Sequence, residues 1–388
     1  MILKEQILHN NSYRQFSAFA ESKTERIALV CNNASLTEDG ISTRVALLQN
    51  GFNLVKLFSP EHGLDATGED GAFQQDGIDS LTGLRVVSLY GNRLAPSKEE
   101  LENIELVLFD IPDIGCRFYT YLWTMTHVME ACATNNKPLI ILDWPNPIGG
   151  NLLCAEGPML DETHCASFIG RWRIPVRHSC TLGELALYFA NTKMNDLKFR
   201  VIPAINWHRN QPANAAFIPT SPAIQKRATA VLYPGMGLLE GINVNEGRGT
   251  HEPFELCGAP WINKDQLHRA FLEFNNQGVT SCPVDYTPQW GMYAGEACHG
   301  IHLKVQDEKS FRPVQTGISL IRIILRLYPT KATERPYCTL ANPAGSGHLD
   351  KLLGVADAFN KIKNEESIIT DVAKEWSAII HDYLIYPE

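Results

Sequence analysis

The sequence predicts an α/β protein: a parallel sheet covered by helices on both faces, followed by a second, mixed α/β (α+β) unit. Three observations carry this. Apolar runs of six to eight residues alternate with helix-like spacing through the first 150 residues. Those runs lack the polar alternation of a half-exposed strand, as expected where both faces are covered. After Trp144 the pattern gives way to loops, a capped helix and a Pro- and Asn-rich connector.

The elements follow in order. "RIALVCN" (Arg26–Asn32) reads as a buried strand, and "STRVALLQNG" (Ser42–Gly51) as a helix with a glycine stop. "FNLVKLF" (Phe52–Phe58) and "RVVSLY" (Arg85–Tyr90) are the next strands. "PSKEELEN" (Pro96–Asn103) opens with proline and then acids, a helix start. "IELVLFDI" (Ile104–Ile111) is the fourth strand, a helix is expected over about 118–135, and "PLIILDW" (Pro138–Trp144) is the fifth strand. "TLGELALYFANT" (Thr181–Thr192) begins with a capping box, Thr181 and Glu184. Residues 203–222 read as connector, and "TAVLYPG" (Thr229–Gly235) as strand-like. Helices are expected near 264–276, 314–327, 349–359 and 367–383, with "HGIHLKV" alternating as a strand. The expected division is 1–220 and 221–388, with the change falling between about 205 and 230.

Bulk properties remove several function classes. The chain has 388 residues, 44% hydrophobic and 20% charged, an ordinary globular composition. A formal net charge of −9 argues against a nucleic-acid partner, and any anionic substrate must be met by local cations. No apolar run approaches the ~20 residues of a membrane helix. The opening "MILKEQILHNNSYRQF" lacks the basic, apolar, small-residue order of an export signal, so a cytoplasmic location is expected. Ten cysteines include no C-x-x-C, which fits reduced thiols better than a zinc ribbon or redox pair.

In an open parallel sheet, ligands sit beyond the carboxyl ends of the strands. The residues there are Asn32 after the first strand, "SPEHG" with Glu61 and His62 after the second, and Tyr90 to Arg93 after the third. "DIPDIGCRFYTY" after the fourth supplies Asp110, Asp113, Arg117, Tyr119 and Tyr121; "DWPN" after the fifth supplies Asp143 and Asn146. The first turn, "NNASLTEDG", is no dinucleotide fingerprint, and neither a Walker loop nor a G-x-S-x-G elbow occurs. No cofactor is expected. A metal cluster drawn from Glu61, His62, Asp110, Asp113 and Asp143 would lack two ligands on one element, so none is expected there either. A second dense stretch, Tyr233 to Trp261, holds six glycines among Glu240, Asn243, Asn245, Glu246, Arg248 and Thr250, the composition of a cage around a polar ligand. Blander duties exist: Asp110 and Asp113 as helix caps, Asp143 as a partner of turn amides, Tyr119 and Tyr121 as core. Glu61, beyond a proline at a strand end, has no evident structural duty.

"LFSPEHG", "DIPDIGCRFYTY", "LDWPNPIGG", "EGINVNEGRGTHEPFELCGAPW" and "CHGIHLKV", in this order, resemble the exo-β-N-acetylmuramidase family. The resemblance runs from about Ile27 to Pro387. It implies a Rossmann-like domain without a dinucleotide, a C-terminal α/β domain, and a site in the cleft between them. The implied activity is release of N-acetylmuramic acid from the non-reducing end of peptidoglycan fragments. Glu61 falls on the family's general acid/base. Two positions depart from the common pattern: Trp144 replaces an arginine, and Ile242 a threonine. Glycoside cleavage needs an acid and usually a second carboxylate, for which Glu246 is the first choice, with His62 beside Glu61. Arg117 and Arg248 are candidates for the lactyl carboxylate of the sugar. Tyr119, Tyr121, Trp144 or Trp290 would stack on its face. The remaining substrate contacts expected are Asn32, Asp110, Asp113, Asp143, Asn146, Asn243, Asn245 and Thr250. The rival readings are a metal-dependent hydrolase and a muropeptide-binding sensor without turnover.

Overall fold

The structure is a computed structural model and describes residues 11–18, 23–194, 196–210, 217–274, 276–339 and 342–388. The first sheet has seven strands: β1 (Ile27–Cys31), β2 (Leu54–Ser59), β3 (Gly77–Ile78), β4 (Arg85–Ser88), β5 (Leu106–Asp110), β6 (Leu139–Leu142) and β7 (Phe199–Ile202). Their order is β3-β4-β2-β1-β5-β6-β7. Every pairing is parallel except β3 with β4. The order reverses between β1 and β5, which makes their carboxyl ends the switch point of the sheet.

Alternation explains why both faces are covered. In β1, Ala28 and Val30 join one apolar cluster while Ile27, Leu29 and Cys31 join another. β5 divides the same way, Val107 and Phe109 against Leu106 and Leu108. Helices α1 (Asn11–Ser17) and α2 (Thr43–Gln49) cover the smaller cluster. α3 (Lys98–Leu101) follows β4, and α4 (Tyr121–Thr134) and α5 (Leu182–Lys193) cover the larger cluster. The Thr181–Glu184 capping box at α5 forms as the sequence predicts.

The rest is α+β. α6 (Arg227–Met236) runs into a 3-10 turn over Gly237–Gly241. β8 (Leu256–Ala259), α7 (Lys264–Glu273), β9 (Val279–Tyr286) and β10 (Cys298–Val305) follow, and the strands form an antiparallel sheet in the order β8-β10-β9. α8 (Pro313–Leu327), α9 (His348–Leu353), α10 (Ala358–Lys363) and α11 (Ala373–Ile380) complete the chain.

Three expectations differ. "TAVLYPG" lies in α6, not in a strand: a fully buried apolar run has no exposed face to betray its period. The helix expected over 349–359 is two helices parted at Gly354, whose φ is +76°. A side chain there would lie 2.6 Å from the Arg117 guanidinium, so the break is where the two parts of the chain meet. Strands β3, β7, β8 and β9 are not among the predicted elements: β3, β7 and β8 have four residues or fewer, and the eight-residue β9 is mostly half-exposed and interrupted by Pro283. The connector predicted over 203–222 lies partly outside the described residues.

One apolar cluster runs through both parts, from Val30 and Trp123 to Ile301, Leu349 and Trp376. The chain also returns to the first sheet. Trp376 Nε1 donates to the His178 carbonyl at 2.8 Å, and the Tyr386 hydroxyl donates to Asp143 at 2.7 Å.

Candidate active site

The loop after β2 is built to turn one carboxyl inward. His62 has a φ of +67°, uncommon for a residue with a side chain, and the Gly63 amide donates to the Pro60 carbonyl at 3.1 Å to close the turn. Glu61, inside that turn, is buried. The chain then doubles back, so the Gly71 amide donates to Glu61 Oε1 at 3.0 Å and His62 Nδ1 meets the Gly68 carbonyl at 2.8 Å. Tyr90 and Thr120, from the rims after β4 and β5, line the same cavity and act on the Glu61 carboxyl.

Glu61 faces a cavity of about 380 Å³, the size of a small-ligand site. One wall is the rim of the first sheet: Glu61, His62, Asp70, Tyr90, Tyr119 and Thr120. The other comes from the second part: Glu240, Arg248, Trp290, Tyr337, His348 and Lys351. The glycine-rich segment forms much of that wall because its backbone is unusually close-packed. A side chain at Gly247 (φ +85°) would meet the Glu252 carbonyl at 2.5 Å, and one at Gly249 (φ +81°) the Trp290 carbonyl at 2.3 Å. Asn245 holds the turn, accepting from the Gly247 amide and donating to the Arg248 and Met292 carbonyls.

The electrostatics divide the acids into two kinds. Burial raises the Glu61 carboxyl, and the nearby charge of Asp70 raises it further. Burial also raises Asp70, but Arg248, His62 and the donating Tyr337 hydroxyl outweigh it and hold Asp70 below its ordinary value. Ligand atoms of Glu61, His62 and Asp70 lie within 4.8 Å of one another. Arg248 stands 3.5 Å from Asp70, 2.7 Å from Glu240 and 3.2 Å from Glu246, stacked on Phe254. Burial raises Glu240 as well, yet Arg248 takes it below the ordinary value; Glu246 stays raised by burial and by Glu240.

The predicted site residues separate accordingly. Glu61, His62, Tyr119, Arg248 and Trp290 line the cavity. Glu246 does not: it is buried behind Arg248, with Arg335 at 3.7 Å on its other side. Arg117, expected at a carboxylate, is fully buried and donates to the carbonyls of Pro158, Ile174 and Leu352. At the switch point, Asn32 donates to the Tyr121 hydroxyl, which donates to the Thr220 carbonyl. Asp110 accepts from the indole of Trp144. Asp143 accepts from Thr181, the Gly183 amide and Tyr386, and Asn146 bridges the Cys180 carbonyl and the Ile148 amide. Asp113 accepts from the Gly115 amide beside His178. Asn243 binds the Lys331 carbonyl and Thr333 amide, and Thr250 the Gly247 carbonyl. These side chains shape the site or the fold without reaching the cavity. Asp70, Tyr337, His348 and Lys351 are not among the residues the sequence singles out, and Glu240 is among them only as a member of the glycine-rich cage.

Among the described residues, two groups have the spacing of metal ligands: Glu61, His62 and Asp70, and Glu252, Glu255 and His302. Neither suits a cation well. Arg248 already neutralises Asp70, and Glu255 is taken by Thr229, with Lys226 at 3.6 Å.

Comparison with known proteins identifies the family. The family descriptions "Exo-beta-N-acetylmuramidase NamZ, N-terminal" and "C-terminal" match residues 27–228 and 231–386. The chain is 37% identical over 374 residues to the peptidoglycan beta-N-acetylmuramidase NamZ of Bacillus subtilis (strain 168), covering 94% of this chain and 87% of that protein. Two DUF1343 family proteins of Bacteroides fragilis NCTC 9343 superpose with TM-scores of 0.82 and 0.74, each at 27% identity. The first covers 98% of this chain and 99% of its own, the second 97% and 98%. Matched by both family models and by a relative along nearly its whole length, this protein belongs to the NamZ exo-β-N-acetylmuramidase family.

Proposed function

We propose that this protein is an exo-acting glycoside hydrolase that releases N-acetylmuramic acid from the non-reducing end of peptidoglycan fragments, with Glu61 as general acid/base. The observation that carries it is the pairing, on one cavity, of a buried Glu61 whose carboxyl is raised with an Asp70 held below its ordinary value. Two carboxyls pushed apart in acidity divide the labour of glycoside cleavage. Glu61 gives its proton to the departing sugar oxygen as the C1–O bond breaks. Asp70 replaces Glu246 as second group: it stabilises the positive charge developing at the ring and bonds to C1, and a water that gives its proton back to Glu61 then displaces it to complete the hydrolysis. The approach of the two groups, within 4.8 Å at their nearest ligand atoms, is nearer the ~5–5.5 Å of retaining enzymes than the ~6.5–9.5 Å that admits an inverting water. Retention of configuration is therefore expected, read by NMR of the first-formed sugar anomer.

The substrate is a small saccharide. The division into 1–220 and 221–388 is supported by the two sheets, which end at Ile202 and begin at Leu256. A cytoplasmic role in cell-wall recycling is supported by ten free cysteines, most of them buried. The deciding experiment is release of product from an aryl N-acetylmuraminide. Glu61→Gln should lower kcat by roughly 10²–10⁴. Tight binding of the muramide by the wild-type protein without product would instead identify a sensor. Turnover abolished by chelator and restored by a divalent cation would favour a metal-dependent hydrolase.

A further inference from the structure

A muramic sugar differs from its glucosamine counterpart by a lactyl ether that ends in a carboxylate. If the reading above holds, and this inference rests on it, the cavity must present a cation whose charge is not already spent. Arg248 fails that requirement, because Glu240, Glu246 and Asp70 surround it. Arg117 is sealed among backbone carbonyls away from the cavity.

Lys351 meets it. It lines the cavity from α9, and its ammonium donates to Asn342 Oδ1 at 2.7 Å and the Ser346 carbonyl at 3.0 Å, both neutral acceptors. Among the described residues no carboxylate lies within ion-pairing distance of it. The adjacent Asp350 acts on the ammonium by its charge but forms no ion pair with it, its carboxylate accepting from the amides of Asp357 and Ala358 at the start of α10. An ammonium has three N–H donors, so one remains for a ligand. One turn earlier on α9, His348 also lines the cavity. It is 5% exposed, and its Nε2 faces Glu240 at 3.8 Å, which leaves Nδ1 without a hydrogen-bond partner. Its ring stacks on Tyr337 at 4.5 Å, which fixes the plane in which it can donate. A buried ring nitrogen without a partner is costly unless a ligand completes it.

We propose that Lys351, with His348 beside it, forms the carboxylate-binding subsite that reads the lactyl group and so selects muramic over glucosamine sugars. The ammonium supplies a compact charge and the imidazole a directed donor, a combination that neutral 3-hydroxy sugars cannot use.

The test measures competitive inhibition by free N-acetylmuramic acid and N-acetylglucosamine, alongside KM and kcat on the aryl muraminide, in wild type, Lys351→Met and Lys351→Arg. Lys351→Met should weaken N-acetylmuramic acid and raise KM by roughly 10- to 100-fold, with a much smaller change in kcat and in N-acetylglucosamine inhibition. Lys351→Arg should recover much of the selectivity. Equal weakening of both sugars would give Lys351 a merely structural role and overturn the proposal, as would unaltered selectivity in an active Lys351→Met enzyme. Failure of the wild-type protein to cleave the muraminide would overturn the proposed function first and this inference with it.

Discussion

Two places on one sheet rim invite comparison. At the switch point between β1 and β5, Asn32, Asp110, Tyr121 and Trp144 fill the space themselves and engage one another or the backbone. One strand away, beyond β2, Glu61 and Asp70 look into open volume and are set against each other by charge. Both places have buried acids. Burial lifts Asp110 to about 6 and Asp143 to about 7, so a raised carboxyl alone does not mark the catalytic one. What separates the two is a ligand-sized space and a second carboxyl held ionised by a cation from the far part of the chain.

That contrast can be broken by substitution. The largest effect belongs to Glu61→Gln, the roughly 10²–10⁴ loss described above. An activity within about 3-fold of wild type would erase the distinction between the two places. Next comes Asp70→Asn, with a loss of roughly 10²-fold and a changed pH profile. In the wild-type enzyme Glu61 must be protonated, so the rate falls as pH rises through its raised value. Asp70 must be ionised, so the rate also falls as pH drops through its depressed value. Asp70→Asn should abolish the acid limb and move the alkaline limb to lower pH, because Asp70 no longer raises Glu61. An unmoved alkaline limb would refute the coupling.

The smallest effect on rate is expected at Asp143→Asn, within about 3-fold. Its consequence lies in stability. The folded Asp143 is raised to about 7 from an ordinary ~3.9, so its contribution is complete below about 4 and is lost as pH climbs through 7. The variant should therefore show a flatter dependence of Tm on pH between 5 and 8. A large fall in kcat at constant Tm would instead bring Asp143 into the chemistry.

Much of the first sheet was legible because its strands are short apolar runs punctuated by Gly, Pro and acids, and Glu61 was legible because topology sends every such strand end to one rim. The partners of Glu61 were not. Asp70 and Tyr337 sit in irregular segments with no period to read, His348 opens a helix of only six residues, and only packing unites positions 61, 70 and 348. Glu240 stood in the quoted glycine-rich stretch but was passed over for Glu246. The choice turned on which acid lies in front of Arg248 and which behind, a matter of side-chain direction that spacing does not carry. Gly345 and Gly347, just ahead of that helix, are the one local signal: they introduce the short α9 that brings His348 and Lys351 to the cavity.

The return of residues 376–386 to the first sheet bears on how the enzyme comes into being. Trp376 caps a carbonyl beside α5, and Tyr386 completes the coordination of Asp143, a group set into the sheet some 240 positions earlier. A ribosome must therefore release the chain past position 386 before strands made some 240 residues earlier receive their final partners. Fragments ending before Trp376 should remain inactive and protease-sensitive even though they carry every residue assigned to chemistry.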